Sequence, residues 1–336
     1  MPHRRRKSEP AHHGVLAVNK PEGITSHDVV DAVRRVAGQR QVGHTGTLDP
    51  AAGGLLVLCL GEATKIAEYL MNQPKIYRGS MRLGAVSDTM DREGEITEQD
   101  TLAADDMKSL PAAELLAQLQ EVARGFLGDI EQLPPLHSAK RVDGRRLYEY
   151  ARTGEPVKVE PRVVTVYRYD ILRAKWPEAD FEVECGSGTY VRRLVHDLGE
   201  DLRCGAYLAS LQRMRVGAVS LDDAVDLEAM RENPAILNER LMPVSQALRF
   251  WPHARVNADA LAILRRGHAI PADWAPVVQY FRPLEWLNYA LLLDEPGNVL
   301  AVARYVSAPY SPPPRELAEY RGAWFQPVKI FPHPIP

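Results

Sequence analysis

The chain has 336 residues, 45% of them hydrophobic, and its 41 Lys and Arg against 44 Asp and Glu leave a formal net charge of −3. That composition suits a soluble globular protein of about two domains, and no apolar run approaches the roughly 20 residues of a membrane span. Three scattered cysteines, Cys59, Cys185 and Cys204, lack a Cys-x-x-Cys spacing, which argues for reduced thiols in a cytosol and against a disulfide framework or a zinc site.

In chain order, residues 1–13 read as a disordered basic arm, with His12-His13 solvated. Residues 14–21 read as a strand ending in a turn at Pro21 and Gly23. Thr25 or Ser26 caps a helix over about 26–37, where Val29, Val30, Val33 and Val36 recur at helical spacing and Asp28 lies in the first turn. This helix brings Arg34, Arg35 and Arg40 beside Gly43-His44-Thr45-Gly46-Thr47-Leu48-Asp49-Pro50. The loop is too glycine-rich for a helix and too polar for a core strand, and it leads into Leu55–Leu60, a buried strand by pattern. It therefore sits at the mouth of the core, where a scaffold holds a side chain rigidly. Asp49 is its only carboxylate, and Pro50 biases it towards an extended backbone. Taken alone, such an Asp-Pro loop is a tight turn.

Residues 62–72 read as a helix, and Lys75–Gly84 as an alternating strand with Tyr77, Gly79 and Met81 on one face. Ser87–Gly94 carries three acids without the pattern of a calcium loop, and reads as a turn. Pro111 opens an amphipathic helix striped by Leu115, Leu116, Leu119, Val122, Ala123 and Phe126. The segment 128–154 is basic, aromatic and bounded by glycines; it fits an arm that closes on a ligand as well as it fits a plain surface excursion. Strands follow at 163–172 and 181–185. If Gly186–Arg192 stays extended, Tyr190 and Arg192 project from one face, with a helix over about 193–203. The glycines there lack a Walker ending and a Gly-x-Ser-x-Gly elbow. A basic strand-like stretch at 208–219 and a helix at 221–232 come next. From about 234 prolines become frequent, and 287–294 with 299–306 reads as a hairpin. A domain boundary is placed near 240–250, before a small β-rich domain of residues 250–332.

The side chains limit the chemistry. A Ser or Cys nucleophile lacks a nearby base, and glycoside hydrolysis wants a second carboxylate. Asp49, Tyr77, Tyr190 and Arg192 remain, among basic clusters that include Lys140, Arg141, Arg145 and Arg146. An aspartate can serve as a covalent nucleophile without a metal, an arginine keeps it ionised, and tyrosine rings can stack on an extruded base.

The run Gly43–Pro50 with Ala52, Gly54 and Leu56 resembles the catalytic motif of TruB-type tRNA pseudouridine synthases. Gly14–Pro21, Lys75–Arg78, His137–Arg152 and Gly188–Gly199 are similar to further motifs of that family in the same order. The resemblance implies an α+β fold: a mixed-sheet catalytic domain over residues 14–240, an RNA-gripping insertion at about 128–154, and a C-terminal PUA-like β-rich domain. It implies isomerisation of uridine to pseudouridine in the T-loop of tRNA, at position 55, with no cofactor and no metal. Asp49 is then the nucleophile on a flipped uridine, Tyr77 stacks on the base and Arg192 pairs with Asp49. His44, Tyr190, Lys20, Lys140 and Arg141 fall among the substrate-binding residues. The expected protein is a cytoplasmic monomer whose partner is the tRNA T-stem-loop, not a membrane. The competing reading is a non-catalytic RNA-binding or RNA-chaperone protein on the same fold.

Overall fold

The apolar run that follows the Asp49 loop is buried along its whole length and forms the spine of a large mixed sheet. The computed structural model describes residues 11–138, 140–279, 288–307, 314–317 and 322–335. The chain opens with β1 (Gly14–Lys20), α1 (Ser26–Ala37), β2 (Val42–His44) and β3 (Gly53–Leu60). Thr25 caps α1 through a capping box with Asp28, and Gly38 ends it in the left-handed region. The valines of α1 then pack on β1 and β3.

After β3 the chain tightens into a 3-10 turn at Gly61–Ile66 before α2 (Ala67–Met71), so the helix expected over 62–72 is only half α-helical. Next come β4 (Lys75–Leu83), the short pair β5 (Ala85–Ser87) and β6 (Ile96–Glu98), α3 (Leu102–Ser109) and α4 (Ala112–Arg124). The region 128–154 holds β7 (Gly128–Gln132), a small hairpin of β8 (Arg141–Val142) and β9 (Arg145–Arg146), and α5 (Leu147–Thr153). Long strands β10 (Arg162–Lys175) and β11 (Glu178–Cys185), α6 (Val191–Asp201) and β12 (Ala206–Val216) complete the frame. The helix expected over 221–232 is instead a 3-10 turn, the short strand β14 (Val225–Asp226) and α7 (Leu227–Glu232), after β13 (Val219–Ser220). Asp226 stops one structure and starts the next, because its carboxylate caps α7.

The strand order is β14-β1-β3-β12-β4-β11-β10-β7, with β2 on β3 and β13 on β12. Most neighbours are antiparallel, but β12 runs parallel to β3 and β14 parallel to β1. One face of the β4–β11–β10 half is covered by α4 and α6 over Met81, Phe181, Leu119, Leu194 and Leu198. The fold class is α+β, as expected.

After the short helices α8 (Ile236–Arg240) and α9 (Val244–Ala247), a second sheet is built from β15 (His253–Arg255), β16 (Ile270–Pro271), β17 (Val277–Gln279), β18 (Tyr289–Leu293), β19 (Val299–Val306) and β20 (Trp324–Ile335), with α10 (Ala258–Leu264) beside it. The β18–β19 hairpin matches the expected one; residue 287 lies outside the described residues. This β-rich domain is not loosely tethered. Trp251 stacks on Tyr289 at 5.7 Å and meets Tyr69 of α2 edge-on at 5.3 Å, within a core that also takes in Leu55, Val57, Val299 and Phe331. At the N-terminus, residues 1–10 of the expected arm lie outside the described residues. His12 and His13 are not simply solvated: the His12 amide donates to Gln39 Oε1 at 2.9 Å, and His13 Nδ1 accepts from the Glu62 amide at 3.0 Å.

Candidate active site

The loop from His44 to Gly53 runs between two antiparallel neighbours, β2 and β3, and side chains from three elements hold it. Ser26, the first residue of α1, accepts from the Leu48 amide at 2.8 Å and also donates to the Leu48 carbonyl at 3.0 Å. Lys20, at the end of β1, is fully buried and donates to the carbonyls of Ala52 at 2.8 Å, Pro50 at 3.3 Å and Pro21 at 3.0 Å. Arg213 of β12 is 1% exposed and donates to Leu55 O at 2.8 Å and Gly46 O at 3.0 Å. The Ala52 amide closes the turn on the Asp49 carbonyl at 3.0 Å. Asp49 thus stands on a braced turn with a half-exposed side chain.

That side chain opens on a cavity of about 360 Å³ whose walls include Tyr77, Lys75, Tyr190, Arg192 and Arg213. Arg192 Nη2 lies 3.3 Å from Asp49 Oδ2. The same guanidinium reaches Asp91 Oδ2 through Nη1 at 3.0 Å and donates from Nη2 to the His137 carbonyl at 2.7 Å. Asp91 is itself fixed, accepting from Thr89 Oγ1 at 2.7 Å and the Glu93 amide at 3.0 Å. Arg192 therefore joins the Asp49 loop, the turn after β5 and the 128–154 segment. It does not share an extended face with Tyr190: the helix begins at Val191, Tyr190 is its N-cap, and Arg192 sits in the first turn. Gln132 of β7 is the reason the chain turns there, since its buried amide accepts from Tyr190 N at 2.7 Å and donates to Tyr190 O at 3.1 Å.

Tyr77 projects from β4 beside Arg213, its partner in the β4–β12 ladder. Burial pushes the Tyr77 phenol above its ordinary range, with the Arg213 cation working against that shift. Burial, then Arg213, also brings the Lys75 ammonium down to about 8, although Lys75 donates to Met71 O and Gln73 O at 2.7 Å each. Burial holds Cys59 up at about 12 and Cys185 at about 11, so both are inert thiols at neutral pH.

A family model described as TruB family pseudouridylate synthase (N terminal domain) matches residues 34–191, and one described as tRNA pseudouridylate synthase B C-terminal domain matches residues 192–249. A tRNA pseudouridine synthase B from Syntrophotalea carbinolica is 39% identical over 319 residues, covering 95% of this chain and 97% of the relative. The chain belongs to the TruB family of pseudouridine synthases. A second TruB relative, from Pseudomonas aeruginosa, is 39% identical over 80% of this chain and 87% of its own length. Among solved structures, an H/ACA RNP bound to a substrate RNA matches with TM-score 0.68 at 20% identity, over 95% of this chain and 85% of that one, a likeness of fold. The boundary between the two TruB family models falls between Val191 and Arg192, inside one continuous site.

The other expected TruB site residues lie around the cavity, not in it. Lys20 braces the loop from behind, with its amine committed to carbonyls, and burial lowers its pKa. His44 is part-buried on β2, accepts from the Gly46 amide at 3.3 Å, and is held towards its neutral form first by burial and then by Arg213. Arg141 is exposed on the β8–β9 hairpin and donates to Gly144 O at 3.3 Å. Lys140 lines a smaller hollow next to the cavity. Four residues of the site were not singled out from the sequence: Asp91, Arg213, Lys75 and Ser138. Asp91 lay in a stretch read as a turn, which it also is. Ser138 borders the cavity with its hydroxyl buried and without a hydrogen-bond partner among the described residues. A lysine two before Tyr77 and an arginine in a strand-like stretch carried no signal of burial.

Proposed function

We propose that this protein isomerises uridine to pseudouridine in the T-loop of tRNA, at position 55, with Asp49 as the nucleophile on a flipped-out base. The observation that carries the reading is the Asp49 carboxylate, half-exposed at the cavity and 3.3 Å from an arginine that is itself buried and anchored. In the reaction the N1–C1′ bond breaks and a C5–C1′ bond forms; the C5 proton is lost and N1 gains one. No redox or group-transfer partner enters that balance. Arg192 aims the Asp49 carboxylate from 3.3 Å, and Tyr77 gives the detached ring a flat wall. Flipping costs a few kcal/mol, offset by stacking and phosphate contacts. The hairpin of β8 and β9, where Arg145 packs over the Tyr150 ring at 4.4 Å, supplies exposed cations for the stem-loop. The β-rich domain, taken as PUA-like, adds a further RNA surface, and the protein acts as a cytoplasmic monomer. A pure RNA-binding protein would have no need of the Asp49–Arg192 pair. The test is Asp49→Asn, expected to abolish tritium release from 5-tritiated uridine in tRNA while tRNA binding stays within about threefold; persisting release would remove Asp49 from the mechanism.

A further inference from the structure

A hollow of about 200 Å³ adjoins the catalytic cavity and shares Gly188 and Tyr190 with it. Its remaining walls include Gln132, Lys140 and Arg162. The wall is rigid: Gln132 is 2% exposed, clamps the Tyr190 backbone through both amide atoms, and faces Arg162 across the β7–β10 ladder. The Arg162 guanidinium lies against Gly188, where a Cβ would come within 3.0 Å of Nη1, and where φ is +86°. Glycine at this point lets backbone and ligand approach the cation closely.

Lys140 and Arg162 have no ion pair among the described residues. Elsewhere arginines at the protein surface pair readily, as Arg168 does with Asp170 and Glu182, and Arg145 with Glu155 at 2.8 Å. Two unpaired cations converging on one hollow repel each other and favour an anion between them. The ligand proposed for the neighbouring cavity supplies one: a base inside the cavity leaves its flanking phosphates outside, one covalent repeat away. We propose that Lys140 and Arg162 hold a phosphodiester of the RNA adjacent to the nucleotide whose base enters the Asp49 cavity. This rests on the reading under Proposed function. Arginine suits the role because its fork engages two phosphate oxygens at once, while lysine adds a point charge.

The test is a thermodynamic cycle. Stem-loop RNA is made with a neutral methylphosphonate at either phosphate flanking the target uridine, and turned over by wild type, Arg162→Ala and Lys140→Ala. Arg162→Ala is expected to raise KM about tenfold, leave kcat within about twofold, and reduce the slope of log affinity against log salt by about one. At one of the two positions the methylphosphonate should cost the wild type the same factor and the variant nothing more. Arg162→Lys should recover part of the salt slope, which a purely structural role for the side chain would not show. Independent, additive losses at both positions, or an unchanged KM in Arg162→Ala, would overturn the proposal. Lys140→Ala, at a partly exposed site, gives the same comparison should Arg162→Ala fold poorly. Failure of the wild type to convert unmodified stem-loop would instead sink the underlying reading, and this one with it.

Discussion

Arg192 and Asp91 form a buried ion pair, Nη1 to Oδ2 at 3.0 Å, with side chains 7% and 8% exposed. Its geometry explains why Arg192 can touch Asp49 without surrendering to it. Asp49 is 49% exposed at 3.3 Å, the looser of two carboxylates sharing one guanidinium. With its charge balanced from behind, the arginine orients Asp49 while leaving that carboxylate open to the cavity.

Asp91→Asn keeps the shape and removes the charge. It leaves the buried Arg192 with one exposed carboxylate, Asp49, to balance its charge, so stability should fall by about 3 kcal/mol, in the range for breaking a buried pair. Arg192 should then draw closer to Asp49, and single-turnover pseudouridine formation should drop at least about 100-fold. Filter binding should show tRNA affinity within about threefold. A variant with full turnover would mean that Asp91 serves only the turn it sits in.

Arg213 reaches Leu55 O and Gly46 O at once, on opposite sides of the Asp49 turn. Arg213→Lys keeps the cation but cannot span both carbonyls, and should lower kcat by about tenfold in a folded protein. Arg213→Met leaves both carbonyls unpaired and should destabilise by about 2–4 kcal/mol in urea unfolding. Equal kcat in Arg213→Lys would show that a single anchor suffices.

The depressed pKa of Lys75 gives a stability signature with a definite sign. Its value in the fold is about 8, against 10.5 ordinarily, so the unfolded chain binds more protons between those limits. Stability therefore rises with pH across that window, because the cost of the buried charge is full below about pH 8 and fades towards pH 10.5. Relative to Lys75→Met, the wild type should gain about 3 kcal/mol between neutral pH and the top of the window, from a difference of two to three pKa units. Urea melts at several pH values check this; parallel curves for the two proteins would show that the ammonium is not desolvated.

Gly54 has φ +93°, and a Cβ there would lie 2.5 Å from the Arg213 carbonyl. Both backbone strain and contact with fixed main chain act against any side chain. Gly54→Ala should destabilise by about 3 kcal/mol and, by moving β3 off β12, reduce turnover more than it reduces tRNA binding. A thermal melt with unchanged midpoint would contradict the close approach of these strands.

Much of the fold was legible because local pattern and burial agree in it. The valines of α1, the apolar run of β3 and the alternation of β4 and β11 each carry their own periodicity, and those elements lie where expected. The misread stretches are those where short-range capping or tertiary contacts decide. Asp226 breaks the segment 221–232 by capping a new helix, and the Gln132 clamp starts α6 two residues earlier than the glycines suggest. In the site, Asp49, Tyr77 and Arg192 were found through motifs, whereas Asp91 and Arg213 owe their places to partners about 100 and 160 residues distant. Lys20 was assigned to substrate by its motif, but its amine is used up by the loop it supports. No periodicity reports which backbone carbonyls a lysine will meet.

The parallel ladder that sets Gln212 beside Gly53 and Arg213 beside Gly54 also fixes the order in which competence can arise. A chain emerging from its N-terminus presents Asp49 early, yet the strand that pins this loop appears more than 150 residues later, after the helix bearing Arg192. Loop closure over such a span is slow, and it cannot begin until that strand exists. Asp49 is thus made before the strand that braces its loop, and is among the last parts of the site to be set.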